Sequence, residues 1–253
     1  MNLWDTHCHL YSEYYSSLNE ILEDAKDCGV KNYIVSGVDR VSNSEVLSIL
    51  SSFENCYGVV GIHPEEIDSF QSNDFLLLKK MFHHNKIIGI GEIGLDYHYT
   101  ELNKEKQKEI FEEQLKLAEE YQLPVVIHSR DATQDTIDIL KKYSVKGVIH
   151  SFSGSLETAK IYIDMGFKLG INGVITFKNC KLKEILPEIF PYIILETDSP
   201  YLTPHPNRGK QNSPKYIRDI AEFIAEELKI PICQVEKVTT DNVYAIFDKL
   251  NKS

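Results

Sequence analysis

The chain has 253 residues, of which 27 are Lys or Arg and 38 are Asp or Glu, so its formal net charge is −11. Its hydrophobic content of 42% is enough for a large core and excludes a disordered chain. The acidic balance argues against a protein that holds nucleic acid by bulk charge, although an enzyme could still contact nucleic acid through one local site.

The sequence contains no run of about 18 apolar residues, so we predict no transmembrane helix and no membrane partner. The N-terminus lacks the basic and apolar segments of a signal peptide. The cysteines are scattered, odd in number and without a C-x-x-C motif, as is typical of reduced thiols, and they are Cys8, Cys28, Cys56, Cys180 and Cys233. We therefore predict a cytoplasmic protein, and nothing in the sequence indicates an obligate protein partner.

Short runs rich in Val and Ile alternate with amphipathic stretches along the chain, as in parallel sheets that are buried on both faces. The predicted strands cover residues 3–6, 32–37, 57–62, 87–92, 125–128, 147–150, 168–171 and 193–196. The predicted helices cover residues 18–28, 104–121, 131–143, 156–165 and 214–228. This α/β alternation predicts a TIM (β/α)8 barrel forming a single domain, residues 1–253, with an open doubly wound sheet as the alternative.

Histidine and acidic side chains stand at the ends of most of the predicted strands. In chain order they are His7, His9, His63, Glu92, His128, His150 and Asp198. Because active sites of (β/α)8 barrels are built at the carboxyl ends of the strands, we expect these residues to meet at one rim. The Tyr- and Ser-rich segment 11–17 is predicted to be a solvated loop rather than a surface that stacks on substrate.

His7 and His9 lie two residues apart on a predicted strand, so both imidazoles face the same side while Cys8 turns away as a small buried side chain. Imidazole and carboxylate ligands suit Zn, Mn, Fe, Ni or Co, whereas Mg prefers more oxygen ligands. One H-x-H motif is weak evidence, but further ligand-type residues at other strand ends predict a metal site.

The other candidate ligands each have a structural alternative. Glu92 could pair with Arg130 instead of a cation. His128 and His150 could be satisfied core residues, although two histidines at consecutive strand ends favour ligation. Asp198, which precedes a Ser-Pro pair, could cap a turn.

Short motifs follow one another along the chain. They are D-x-H-x-H-L from Asp5, G-I-H-P from Gly61, G-E-I-G-L-D from Gly91, P-V-V-I-H-S-R from Pro124, H-S-F-S-G from His150, E-T-D-S-P-Y-L from Glu196 and R-G-K from Arg208. Taken together, they resemble the TatD-type metal-dependent deoxyribonuclease family, a branch of the amidohydrolase-type barrels, and the resemblance covers nearly the whole chain.

The resemblance implies two divalent metal ions per subunit, with Zn, Mg, Mn, Ni and Co as the candidates. The implied ligands are His7, His9 and Asp198 for one ion, His128 and His150 for the other, and Glu92 as a bridge between them. His63 is expected to contact substrate or bound water instead. Tyr11, Glu65 and Gln211 depart from the family pattern, and the position of Gln211, which is often basic, predicts weak binding of DNA.

The implied activity is hydrolysis of DNA phosphodiester bonds by an exonuclease-type deoxyribonuclease that binds single strands or strand ends transiently. Paired cations lower the pKa of a water molecule, and Asp198 is placed to accept its proton, with Glu92 and His63 as further catalytic residues. The predicted phosphate-binding residues are His63, Arg130, Arg208 and Lys210.

Alternatives remain open. Arg130 and Lys210 could be ordinary surface charges. Because one barrel fold hosts many chemistries, the chain could instead hydrolyse amide, ester or lactone bonds in a small molecule. A scaffold protein with structural metals is the third reading, although structural zinc sites are usually closed cages of four ligands.

Overall fold

A computed structural model describes residues 1–98 and 103–252. Its strands are β1 (Leu3–Cys8), β2 (Val30–Ser36), β3 (Cys56–Val60), β4 (Ile87–Asp96), β5 (Val125–Arg130), β6 (Gly147–Ile149), β7 (Phe167–Ile171) and β8 (Ile193–Leu195). Its α-helices are α1 (Leu18–Asp27), α2 (Arg40–Ser52), α3 (Asn73–Met81), α4 (Lys104–Tyr121), α5 (Thr133–Leu140), α6 (Leu156–Asp164), α7 (Leu182–Ile189), α8 (Ile217–Leu228) and α9 (Ile232–Ile246).

The strands lie in the sheet in the order in which they occur in the chain, from β1 to β8. The strand pairs β1–β2, β3–β4, β4–β5, β5–β6 and β7–β8 are parallel. A doubly wound sheet reverses its strand order at a switch point, whereas this sheet does not. The order is therefore that of the predicted (β/α)8 barrel, and the doubly wound alternative is wrong.

The described residues cluster into two compact units. The first unit comprises Met1–Val35, Ser151–Asp164 and Lys168–Ala245. The second unit comprises the described residues of Ser36–His150, Met165–Phe167 and Ile246–Ser253.

The first unit packs helix α8 against strands β1 and β8. All residues of β1 are buried. The apolar side of α8 repeats at three- and four-residue spacings, which place its buried residues on one face: Ile217, Ile220, Ala221, Ile224 and Ala225. This packing fixes the strand that carries His7 and the strand that precedes Asp198.

The second unit packs helix α4 against β4, which is buried along its whole length. Two buried glutamines of α4 are seven residues apart and so lie on one face of the helix. Their side chains form hydrogen bonds with the backbone of two other segments. The Gln114 side chain accepts from the N–H of Ile62 at 2.7 Å and donates to its carbonyl at 3.0 Å. The Gln107 side chain makes the same pair of bonds with Asp96, at 2.9 and 2.7 Å. Helix α4 therefore fixes the chain just before His63 and at the end of β4.

Strand β4 is longer than predicted, since it continues four residues beyond Glu92 to Asp96. Gly94 weakens the strand signal there, but a glycine is needed: its φ is 145°, and a Cβ atom would lie 2.0 Å from the carbonyl oxygen of His128.

Helices α2, α3, α7 and α9 lie in segments for which no helix was predicted.

The prediction of a solvated loop at residues 11–17 is wrong for two of its tyrosines. Tyr11 and Tyr15 are 4% and 5% exposed. The Tyr15 hydroxyl donates to the carbonyl of Asn212 at 2.8 Å, so the segment is tied to the loop that follows β8.

Within the described residues, every helix is too short or too polar to cross a bilayer.

Candidate metal-binding clusters

The first cluster consists of His7, His9 and Asp198. Their ligand atoms converge: Nε2 of His7 and Nε2 of His9 are 3.3 Å apart, and Oδ1 of Asp198 lies 3.8 and 3.5 Å from them. Ligand atoms bound tetrahedrally at about 2.1 Å from a zinc ion are about 3.4 Å from one another. The triangle of two nitrogens and one oxygen therefore fits one divalent cation.

Strand β1 and the segment after β8 hold this cluster through their backbones. The N–H of Asp198 donates to the carbonyl of His7 at 2.9 Å, and the N–H of His9 donates to the carbonyl of Ser199 at 2.8 Å. Asp198 has a φ of 57°, a left-handed conformation that aspartate tolerates better than most residues. The predicted H-x-H geometry is present, with both imidazoles on one side of the strand.

Asp5 joins the same two segments from within the core. Its carboxylate accepts from the N–H of Thr197 at 2.9 Å and from the Thr197 hydroxyl at 2.6 Å. Burial raises the pKa of Asp5 to about 8, against the lowering effect of these hydrogen bonds. Asp5 therefore positions the segments that carry the cluster.

Tyr11 contacts the cluster from outside, and sequence reasoning missed this role. Its hydroxyl lies 3.2 Å from Nδ1 of His9, on the side of the ring opposite Nε2. Histidines that bind metals usually make a hydrogen bond through their second nitrogen, which orients the ring. The sequence did offer a signal for this contact. Tyr11 follows His9 by two residues, and residues two apart can share one face of an extended segment.

The second cluster is centred on Glu92, which is 3% exposed. Its Oε1 lies 2.8 Å from Nδ1 of His128, 3.5 Å from Nε2 of His63 and 3.8 Å from Nε2 of His150. The predicted ligands His128 and His150 therefore both approach one carboxylate oxygen of the third predicted ligand, Glu92. The structure also brings His63 to the same place.

Asp96 is the second residue that sequence reasoning missed. Its Oδ2 accepts from Nε2–H of His128 at 2.9 Å. Burial lowers the pKa of His128, but the carboxylates of Asp96 and Glu92 outweigh that effect and raise the pKa to about 9. Burial alone would raise the pKa of Asp96, yet the hydrogen bond from His128 lowers it. The signal for Asp96 was its place four residues after Glu92, on the same face of an extended strand.

His63 has a defined tautomer. Its Nδ1 accepts from the backbone N–H of Glu65 at 3.2 Å, so the ring proton of the neutral imidazole resides on Nε2. A neutral imidazole that bound a cation through Nε2 would carry its proton on Nδ1 instead. The Glu65 amide thus makes His63 a hydrogen-bond donor, in line with its predicted contact to substrate or water.

The predicted phosphate-binding residues Arg208 and Lys210 lie in the exposed loop after β8. The guanidinium carbon of Arg208 lies 3.8 Å from the ring centroid of Phe177, so the ring holds the cation in place. Lys210 donates from Nζ to Oδ1 of Asn207 at 3.0 Å. Arg130 is exposed at the last position of β5, where it pairs in register with Asp96.

Comparisons with known proteins show which family this chain resembles. A family model described as TatD related DNase matches residues 4–248. The uncharacterized metal-dependent hydrolase YabD of Bacillus subtilis is 40% identical over 251 residues, covering 97% of this chain and 98% of the relative.

Solved structures show the same fold. The crystal structure of YjjV, a TatD homolog from Escherichia coli K12, has a TM-score of 0.92 and 28% identity, covering 97% of this chain and 98% of the other. A hydrolase TatD family protein from Entamoeba histolytica has a TM-score of 0.86 at 20% identity and covers 98% of both chains. The predicted TIM (β/α)8 fold class is confirmed.

Proposed function

The chain belongs to the TatD related DNase family of metal-dependent hydrolases, and from this premise we propose that it is a deoxyribonuclease. The proposed substrate is single-stranded DNA or a strand end, which the enzyme hydrolyses from the end. The observation that carries the proposal is the triangle formed by Nε2 of His7, Nε2 of His9 and Oδ1 of Asp198, whose sides of 3.3–3.8 Å fit one cation.

We assign one divalent cation to each cluster. His7, His9 and Asp198 would hold the first, and Glu92, His128 and His150 would hold the second, while the identity of the metal depends on its geometry and availability. When bound, such cations supply Lewis acidity and a water molecule of lowered pKa.

Asp198 is our candidate for the proton acceptor. Its side chain is 16% exposed, whereas that of His7 is fully buried, so the carboxylate extends from the cluster toward solvent. A carboxylate in this position can take a proton from the attacking water and later return it to the departing alkoxide of the substrate.

His63 is assigned a different task, because its Nε2 carries the ring proton. The imidazole would donate this proton in a hydrogen bond to a phosphate oxygen of the substrate. A donor aimed at an oxygen that gains charge during hydrolysis stabilises the transition state more than the ground state. Oε1 of Glu92 lies 3.5 Å from the same nitrogen, so His63 stands beside the proposed ligands of the second cluster.

The net charge of −11 is compatible with a DNA substrate if attraction is local. Two cations would add about four positive charges at the clusters. Arg208 and Lys210 add two more charges in the loop that follows Asp198. The rest of the acidic surface repels the polyanion, so we expect weak, metal-dependent and non-processive binding.

The test is cleavage of end-labelled single-stranded DNA by chelator-treated protein to which Mg²⁺, Mn²⁺ or Zn²⁺ is returned. His128→Ala removes a proposed ligand, and the matched control His83→Ala removes an exposed histidine outside both clusters. We expect shortening of the labelled strand with wild type and with His83→Ala, and none with His128→Ala.

Equal cleavage by the His128→Ala protein would contradict the proposal, because the cleavage would then not depend on the second cluster. If no metal restores cleavage in the wild type, the deoxyribonuclease assignment is wrong. Hydrolysis of amide, ester or lactone substrates by the same metal-loaded protein would then be the next measurement.

A further inference from the structure

Two tyrosines lie beside the ring of His9, and a third contacts both of them. The ring centroid of Tyr11 lies 5.5 Å from that of His9, and the ring of Tyr201 lies 6.3 Å from it at an interplanar angle of 65°. Tyr14 completes the group, with its ring 5.9 Å from Tyr11 and 6.0 Å from Tyr201. An aromatic surface thus lies directly beside a proposed metal ligand.

Tyr201 is held rigidly although it is exposed. Its N–H donates to the carbonyl of Asp198 at 2.8 Å, and its carbonyl accepts from the side chain of Asn212. Asn212 is fully buried, and its side chain also donates to the carbonyl of Thr197 at 2.9 Å. The backbone of Tyr201 is therefore fixed relative to Asp198 by bonds on both sides.

The side chain of Tyr201 is fixed as well. Its hydroxyl lies 2.9 Å from that of Tyr14, which is half-buried. The side chain of Gln211 donates to the carbonyl of Tyr14 at 2.8 Å, so the loop that carries Lys210 lies against the same segment. Despite these restraints, 51% of Tyr201 is exposed, which leaves a large part of an ordered ring open to a ligand.

We propose that Tyr201, braced by Tyr14, is a stacking platform for the base of the nucleotide whose phosphate binds at the first cluster. This inference rests on the proposed deoxyribonuclease function and identifies the part of the substrate that the loop after β8 recognises. Every base has a flat face, so stacking on a tyrosine binds single strands without selecting a sequence. A strand that ends in an unpaired base exposes that face, whereas a duplex interior hides it.

The acidic surface of this protein is a reason why stacking on Tyr201 would matter for binding. An acidic surface gives little attraction to the phosphate backbone beyond the cations and a few basic residues. Contact with a base adds affinity that does not depend on charge. It also orients the terminal nucleotide, because the ring and Asp198 belong to one rigid turn.

The test compares the hydrolysis of two single-stranded oligonucleotides that differ only in their terminal nucleotide, which either carries a base or is abasic. We expect the metal-loaded wild type to have a KM about tenfold lower for the base-bearing strand. Tyr201→Ala should abolish this difference, and Tyr201→Phe, which keeps the ring, should retain it. Tyr192→Ala is the matched control, because Tyr192 is an exposed tyrosine at the other end of β8, and it should behave as wild type.

The ratio of the two KM values separates stacking from a folding defect, since a misfolded variant loses both substrates equally. If Tyr201→Ala retains the wild-type ratio, or if the wild type does not distinguish the two strands, the inference is wrong. A second readout needs no turnover: quenching of terminal 2-aminopurine in an oligonucleotide with a linkage that resists hydrolysis. This quenching should be lost in Tyr201→Ala and kept in Tyr201→Phe.

The two readouts distinguish the two proposals. Quenching that depends on Tyr201 without any cleavage would overturn the deoxyribonuclease assignment and leave the stacking site in place. Cleavage without discrimination or quenching that depends on Tyr201 would overturn the stacking site alone. The absence of both cleavage and quenching would overturn both proposals.

Discussion

Asp96 accepts the Nε2–H of His128 at 2.9 Å, on the side of the ring opposite Glu92, which lies 2.8 Å from Nδ1. The carboxylate of Asp96 thereby fixes both the orientation of the ring and the nitrogen that faces the second cluster. The side chain of Gln107 holds the backbone of Asp96 in turn, so helix α4 contributes to the position of His128.

We predict that Asp96→Asn weakens binding of one divalent cation by about 10- to 100-fold, because an amide can present its NH2 group to Nε2 and reverse the tautomer of His128. Calorimetric titration of chelator-treated protein with Mn²⁺ measures this change. The control is Asp138→Asn, an exposed acid on α5, which should bind Mn²⁺ as wild type does. Unchanged affinity in the Asp96→Asn protein would show that Asp96 does not orient a ligand.

Substitutions of His63 and His9 should have different effects, the first on catalysis and the second on metal binding. Because Nδ1 of His63 accepts from the Glu65 amide, we expect His63→Gln to keep the full metal content while kcat falls by about 10- to 100-fold, the value of a hydrogen bond to a charged group. His9→Gln removes a ligand from the first cluster and should lower the metal content itself.

The measurements are metal analysis of the purified proteins and steady-state cleavage of a single-stranded oligonucleotide. A loss of bound metal in His63→Gln similar to that in His9→Gln would identify His63 as a ligand. That result would contradict the tautomer assigned from the Glu65 amide.

Much of the fold and most of the site could be predicted from the sequence, because strands that are buried on both faces leave short apolar runs that end at polar residues. His7, Glu92 and Asp198 are examples, since each stands at or just after the end of such a run. The end of the apolar run was therefore enough to predict that these residues reach a cluster, although in β4 the strand itself continues to Asp96.

The helices that were missed have weak local signals. Helix α2 is rich in serine, which has a low helix propensity, and its start depends on the reciprocal hydrogen bonds between Asp39 and Ser42. Helix α7 contains Pro187, which normally ends a helix. Asp96 and Tyr11 were missed because their roles depend on which way a side chain turns, and that is decided by contacts distant in sequence.

The capping box of α2 gives a prediction about stability. The Asp39 carboxylate accepts from the N–H of Ser42 at 2.8 Å, and the Ser42 hydroxyl accepts from the N–H of Asp39 at 2.9 Å. Asp39→Ala should lower the free energy of unfolding by about 1 kcal/mol, as measured by urea denaturation. Ser48→Ala, an exposed serine within the same helix, should change it by less than about 0.5 kcal/mol. Equal unfolding midpoints for Asp39→Ala and wild type would show that the cap does not limit stability.

Cys56 and Cys233 should differ in their reactivity. Cys56 is fully buried, and burial raises the pKa of its thiol to about 12, whereas Cys233 is exposed. Since the thiolate is the nucleophile, Cys56 should stay unmodified by iodoacetamide at about pH 8, while Cys233 is alkylated. The reactivity of Cys56 should appear only when the pH approaches its raised pKa or when the protein unfolds. Peptide mass spectrometry after alkylation measures both sites, and the same reaction in guanidinium chloride is the control in which both must react. Alkylation of Cys56 at the rate of Cys233 in the native protein would mean that β3 opens readily to solvent.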